Sequence, residues 1–385
     1  MNLMSESNLV FPDFNHSIVN LAASMAQFLG SPVYHPILPC LTEKLKPTYQ
    51  HVVYMVVDAM GASILEKNLP ADSFLRTHQI DTVTSVFPST TAAATTSLLS
   101  GLTPAEHGWF AWSVDFDGEV IELFRNRNYY TKEFLADKNF VSRHLPYARI
   151  YEQTNGDREI YTCFPNIAIE IRSPHDIRFN SLGHMFRRLH KICAMPEKNF
   201  VYTYYPNLDS TMHTYGTTAW HSRHLLKKIE RGLKYFAKKH PDTLFVVTAD
   251  HGQNDVKGFS YICDDAAIQD CLLHPVSLDP RGVCFKIKPG KDADFKAAFK
   301  KYEKDFTLFT SKDLIQKGVF GDFKMHPEYS KYLGDYIAVG GETNHFIVFQ
   351  QGDQYRGKNI KRLYHGEHTG MTADEMYVPL IVVGN

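Results

Sequence analysis

Three apolar runs, each closing on an aspartate, constrain this chain more than any other feature. "HVVYMVVD" ends at Asp58, "FVYTYYPNLD" (Phe200 to Asp209) at Asp209 and "TLFVVTAD" at Asp250. Val-rich runs of this length read as strands buried on both faces, the mark of a parallel sheet. "DTVTSVF" (Asp81 to Phe87) alternates as one more strand. Helical patterns lie between: Ser17 to Gly30, a segment around Ser63 to Leu69, the Ala-rich Thr90 to Gly101, and a longer one in which Leu225, Leu226, Ile229, Leu233 and Phe236 recur at helical spacing. This alternation predicts an α/β fold, a mostly parallel central sheet flanked by helices.

At 385 residues the chain has room for about two domains, or one with insertions. From Trp109 to about Glu197 the pattern loosens into aromatic, Arg and Asn residues. Between about Ala266 and Phe349, "GVCFKIKPG", "DADFKAAFKKYEKDF" and "TLFTSKDLIQKG" form a βαβ-like unit, followed by the strands "DYIAVGG" and "HFIVFQ". The expectation is a single catalytic domain over 1–385, with inserted cap segments at 109–197 and 266–349 forming a lid and specificity wall.

Composition excludes several classes of function. A formal net charge of −1 and the lack of a basic stripe argue against a nucleic-acid polymer as partner. No apolar segment approaches the ~18 residues of a membrane span. The stretch "MNLMSESNLVFPDF" lacks the basic start and apolar core of a secretory signal. Six cysteines without a CxxC pair read as reduced thiols. A cytoplasmic protein acting on a small molecule is expected.

Parallel strands bring their carboxyl ends to one edge, where open α/β sheets hold ligands. Asp58 stands at one such end, Asp209 with His213 at a second, and Asp250 with His251 at a third. "YHGEHTG", containing His365 and His368, precedes the final apolar run. Mixed Asp and His donors suit zinc, or manganese or iron. Six such groups are too many for one tetrahedral ion and match two ions about 4 Å apart. Singly, each has an ordinary structural use: Asp58 as a helix cap, His213 as a packed helical residue, His251 as a turn residue. Their joint placement at strand ends points to a site. Thr90 and Thr91 open the Ala-rich helix, where free N–H groups and a metal would favour an alkoxide nucleophile; Ser89 or Thr90 could equally serve as that helix's cap.

On "YMVVDAMG", "FPSTTAAATTSLLSGLTPAEHG", "YYPNLDSTMHTYG", "VVTADHG" and "GEHTGMTADEMYVPLIVVG", the sequence resembles the alkaline phosphatase superfamily, and within it the type I phosphodiesterase/nucleotide pyrophosphatase family. The resemblance implies an alkaline phosphatase-like core and a two-metal hydrolase of phosphodiester or phosphoanhydride bonds. Its nucleophile is Thr91, ten residues before Gly101. One metal would be held by Asp58, Thr91, Asp250 and His251, the other by Asp209, His213 and His368, with His365 as the alternative. Trp112 departs from the pattern, standing where nucleotide pyrophosphatases carry a phosphoryl-contacting Asn. Asn126, Asn128, Arg125 and Arg127 are then the nearby replacements, or simply loop residues. No residue matches the phosphate-clamping Arg of alkaline phosphatases, which favours diesters over monoesters. Tyr204 and Tyr205 either stack a base or pack the strand. The competing expectations are a phosphomonoesterase, a phosphonate hydrolase, or an inactive protein that binds metal and nucleotide.

Overall fold

The computed structural model describes residues 8–166, 173, 175–350 and 364–384. Residues 1–7 of the N-terminal stretch, 167–172 and 174 within the expected 109–197 segment, 351–363 just beyond the second segment, and 385 lie outside the described residues. A seven-stranded sheet organises the chain. Its strands are β1 (His51–Val57), β2 (Gln79–Thr84), β3 (Glu159–Pro165), β4 (His175–Phe179), β5 (Asn199–Tyr205), β6 (Thr243–Thr248) and β7 (Tyr377–Val383). The order is β2-β7-β6-β1-β5-β3-β4, so β1 lies at the centre and all seven of its residues are buried. Burying each Val side chain there stabilises the fold by about 1.5–3 kcal/mol.

Helix α1 (Ile18–Leu29) starts in a capping box made by Ser17 and Asn20, and ends at Gly30 in the left-handed region. It packs on α3 (Thr91–Ser100); between them in sequence comes α2 (Ala62–Asn68). Further along, α4 (Leu182–Ile192) and α5 (Asn207–Tyr215) pack against α6 (Trp220–Lys239), which buries Leu226, Ile229, Leu233 and Phe236 and leaves its Lys-rich face outside. Among the described residues no helix is long and apolar enough to cross a membrane. All six cysteines are free, five of them buried.

Several expectations need correction. The run 200–209 is not one strand: β5 stops at Tyr205, Pro206 supplies no ladder N–H, and Asp209 falls in the first turn of α5. The strand drawn over 81–87 lies at 79–84, since its pairing with β7 ends at Thr84 opposite Tyr377. The final strand β7 runs antiparallel to both neighbours. That reversal puts the start of β7 at the carboxyl edge of its neighbours, which is what delivers the "GEHTG" loop to that edge.

The 109–197 segment divides. Residues 113–116, 119–122 and 127–128 form a small antiparallel sheet, whereas β3, β4 and α4 belong to the central layer. β4 is a half-exposed edge strand, "HDIRF", and so lacks the Val-rich signature of an inner one. In the second insert, strands 282–285 and 306–310 are joined through the helix Asp292–Phe299, but 336–340 lies between them, antiparallel to both. The βαβ reading therefore holds as a split unit.

His107, fully buried just beyond α3, accepts from the Trp109 amide through Nδ1 (3.0 Å) and donates from Nε2 to Ser97 Oγ (3.0 Å). Burial pushes its pKa down to about 3. Below the ordinary histidine value of about 6.5, the unfolded chain takes up a proton that the fold refuses, so stability falls with pH. His107 alone should remove about 2 kcal/mol between pH 7 and pH 5. Urea unfolding at the two pH values checks this: a His107→Gln variant should show a correspondingly smaller loss, and an unchanged loss would contradict it.

Candidate active site

The carboxyl edge of the sheet gathers side chains from four places in the sequence. Asp58 follows β1, and its amide continues the ladder by donating to the Tyr205 carbonyl (3.0 Å). It is not a helix cap, because α2 begins after Gly61. Asp250 and His251 follow β6, where the turn demands Gly252: a Cβ there would lie 1.9 Å from the Asp374 carbonyl. Asp209 and His213, one helical turn apart on α5, meet at 3.2 Å (Oδ1 to Nε2). His368 comes from the loop before β7, with Nε2 3.7 Å from Asp209 Oδ1. His365 is exposed and engages through its backbone, its amide donating to the His213 carbonyl.

Two donor groups result. Asp58, Asp250 and His251 offer ligand atoms within 4.8 Å of one another, and so do Asp209, His213 and His368. The groups adjoin: the His251 and His368 rings stack with centroids 3.9 Å apart. Thr91, half-buried as the first residue of α3, places Oγ1 3.3 Å from His251 Nε2. Neither expected cap forms, because Ser89 Oγ donates to the Gly370 carbonyl and Thr90 turns its hydroxyl to Asp279. The first-turn N–H groups of α3 are thus left without a side-chain cap.

The donor groups have the character of a cation site. Asp58 Oδ1 and Asp250 Oδ2 are buried without a hydrogen-bond partner. Burial first, then the charges of Asp250 and Asp209, drives the Asp58 pKa far above the carboxylate range. Such clustering is costly unless a cation neutralises it. Burial, helped by His251, keeps His368 neutral. Burial disfavours charge on Asp209, but the adjacent His213 outweighs it and holds that carboxyl well below its usual range. Each imidazole donates Nδ1–H to a backbone carbonyl: His213 to Gly366 (2.7 Å), His251 to Gly252 (2.9 Å) and His368 to Ser89 (2.9 Å). A ring whose Nδ1–H is so engaged turns its Nε2 lone pair to the cluster when neutral, the outer-shell arrangement typical of metal-binding histidines. On His213 burial disfavours charge, but Asp209 and Glu367 outweigh it and raise the pKa to about 10, so its Nε2 keeps a proton facing Asp209 unless a cation takes that place.

Sequence reasoning missed several neighbours. Tyr204, read as core packing or a base platform, donates its hydroxyl to Asp58 Oδ2. Tyr205 packs in the core against Phe179. Gln253 Nε2 donates to Asp209 Oδ1 at 2.9 Å. Glu367, its pKa pushed up to about 7 chiefly by burial, accepts from the His368 amide. Asp279, raised to about 6 by burial, accepts from the Trp112 amide at 3.1 Å and so ties both inserts to the start of α3. Its setting "SLDPRG" carries no motif. Asn126 and Asn128 are structural, bonding to backbone groups within the first insert. Arg125 and Arg127 instead line a cleft of about 450 Å³ that also contains Thr90, Thr91, Asp209, His213 and His368.

This sheet, with its donors on the carboxyl edge, is the alkaline phosphatase-like fold of metal-dependent hydrolases acting on phosphate ester bonds. The model of the type I phosphodiesterase/nucleotide pyrophosphatase family matches residues 52–317, and the chain belongs to that family. Among solved structures, murine ectonucleotide pyrophosphatase/phosphodiesterase 5 superposes with a TM-score of 0.63 at 16% identity, over 87% of this chain and 88% of its own. Phosphonoacetate hydrolase from Sinorhizobium meliloti 1021 gives 0.63 at 15% identity, over 86% and 89%. Comparison with curated protein sequences gives no match.

Proposed function

We propose that this protein is a two-cation phosphodiesterase/nucleotide pyrophosphatase that works through a phosphorylated Thr91. The observation that carries the reading is the position of Thr91 Oγ1, 3.3 Å from His251 Nε2, where two donor trios meet at an uncapped helix start. Asp58, Thr91, Asp250 and His251 would hold one cation and Asp209, His213 and His368 the other. Zinc fits this donor set best, with manganese or iron as alternatives. Such ions supply Lewis acidity, favouring the alkoxide form of a bound hydroxyl and stabilising a departing oxygen.

The chain's own residues then do the following. Thr91 Oγ bonds to phosphorus as the bond to the leaving oxygen breaks in line. The free N–H groups at the start of α3 hold a phosphoryl oxygen. Water next displaces Thr91 from phosphorus and restores the hydroxyl. Tyr204 holds Asp58 and Gln253 holds Asp209 in their orientations. The described residues of the inserts at 109–197, less β3, β4 and α4, and at 266–349 form the lid and specificity wall. In support, the murine neighbour has a threonine-to-alanine form described as inactive and in complex with AMP. A phosphonate hydrolase is the second reading, favoured by the equal superposition on phosphonoacetate hydrolase.

Metal analysis combined with a substrate panel tests these readings. The protein should bind about two divalent ions and cleave bis-p-nitrophenyl phosphate at least about tenfold faster than p-nitrophenyl phosphate, with chelation abolishing turnover. Full activity in metal-free protein would end the proposal. Phosphonoacetate cleaved faster than either ester would favour the second reading.

A further inference from the structure

The cleft contains a charged region for which the chemistry above has no use. Arg125, Arg127 and Lys132, all from the first insert, line it together with Glu122. Glu122 is 1% exposed and pairs with both guanidinium groups, at 2.6 Å to Arg127 Nε and 3.1 Å to Arg125 Nη1. Among the described residues Lys132 has no ion pair, and its ammonium sits 4.2 Å from the centre of the Tyr129 ring. Arg125 is likewise held over Trp112, at 5.7 Å. At this end of the cleft three cations face one carboxylate, Glu122, while the cleft's other acids, Asp209, Asp279 and Glu367, lie by the donor cluster and the start of α3. Burial depresses the Lys132 pKa, and repulsion from Arg127 and Arg125 adds to the shift against the pull of Glu122. Like charges gathered in a cleft are unfavourable until an anion joins them, and guanidinium forks are shaped for phosphate oxygens.

We infer that Arg125, Arg127 and Lys132 form a subsite for a second phosphate, carried on the leaving group, so that this cleft selects phosphoanhydrides over simple diesters. The inference rests on the function proposed above and adds the residues that choose its substrate. Two probes share one transferred group: thymidine 5′-triphosphate leaves pyrophosphate, and the p-nitrophenyl ester of thymidine 5′-monophosphate leaves an unphosphorylated phenolate. The readout is the ratio of their kcat/KM values, which cancels any change common to both. In Arg125→Ala, whose side chain is half exposed, the triphosphate-to-ester ratio should fall at least about tenfold, and further in the double variant with Arg127→Ala. A ratio unchanged within about twofold would overturn the inference. Calorimetric titration of metal-loaded Thr91→Ala protein with inorganic pyrophosphate gives a readout without turnover. Affinity at least about tenfold weaker on adding Arg125→Ala supports the subsite, and equal affinity overturns it. Should the wild type cleave neither probe in a Thr91-dependent way, the proposed function fails while the titration still decides the subsite.

Discussion

Thr91→Ala protein is expected to fold and retain its cations while its turnover of bis-p-nitrophenyl phosphate falls by at least about a thousandfold. The hydroxyl that is lost makes one side-chain contact of note, to His251 at 3.3 Å, and it lies half-buried at the first position of α3. Alanine is the better helix former there, so stability should change little. The other six donors, Asp58, Asp250, His251, Asp209, His213 and His368, stay in place. What disappears is the atom that bonds to phosphorus, and the residual rate measures how well the remaining site orients water. Thr91→Ser should recover part of the activity. Thr90→Ala should cost far less, because that hydroxyl turns to Asp279. Undiminished turnover in Thr91→Ala would remove Thr91 from the chemistry.

The largest expected loss of stability comes from Glu375→Ala. Glu375 and Arg281 are 0% and 1% exposed and joined by two hydrogen bonds, Nε to Oε1 at 2.6 Å and Nη2 to Oε2 at 3.1 Å. The guanidinium also donates to the carbonyls of His345 (2.8 Å) and Gly341 (3.0 Å). Glu375 in turn accepts from the amides of Gly370 (2.9 Å) and Thr372 (3.1 Å). The pair therefore fastens the hairpin of Asp279 to the loop of His368. Truncating one partner strands a buried charge, at a cost of about 3–5 kcal/mol. Denaturant unfolding reads the cost, and metal analysis should show weakened retention of the cation assigned to Asp209, His213 and His368. Replacing both partners, as Arg281→Met with Glu375→Leu, should restore much of the stability, since an apolar pair leaves no uncompensated charge. A loss below about 1 kcal/mol for Glu375→Ala would show that water or other groups relieve Arg281.

How far the sequence carries can be seen residue by residue. β1 and β6 announce themselves because strands buried on both faces are apolar through their middles, and Asp58 and Asp250 stand out as the first acidic residues after those runs. Gly101 marks the end of α3, where its backbone is left-handed at φ 70°, and the preference for Thr91 over Thr90 came from the resemblance, which implies a nucleophile ten residues before that Gly. By contrast β4 was illegible, since an edge strand may be polar. Asp209 was placed on a strand because its apolar run passes unbroken through Tyr205, and only Pro206 signals the change.

Local pattern alone determined the α/β class, the apolar runs of β1 and β6 and the candidate Asp and His donors, because burial and helical periodicity act over a few residues; the family resemblance chose Thr91 and His368 among the candidates. Tertiary structure decided the rest: the reversed β7 that brings His368 to Asp209, the contact between the two donor trios that the resemblance had implied, and the recruitment of Tyr204, Gln253 and Asp279. It also decided that Arg125 and Arg127 face the cleft while Asn126 and Asn128 turn to backbone groups. These outcomes depend on contacts between residues far apart in the chain, and chain spacing carries no record of which distant groups the sheet will bring together.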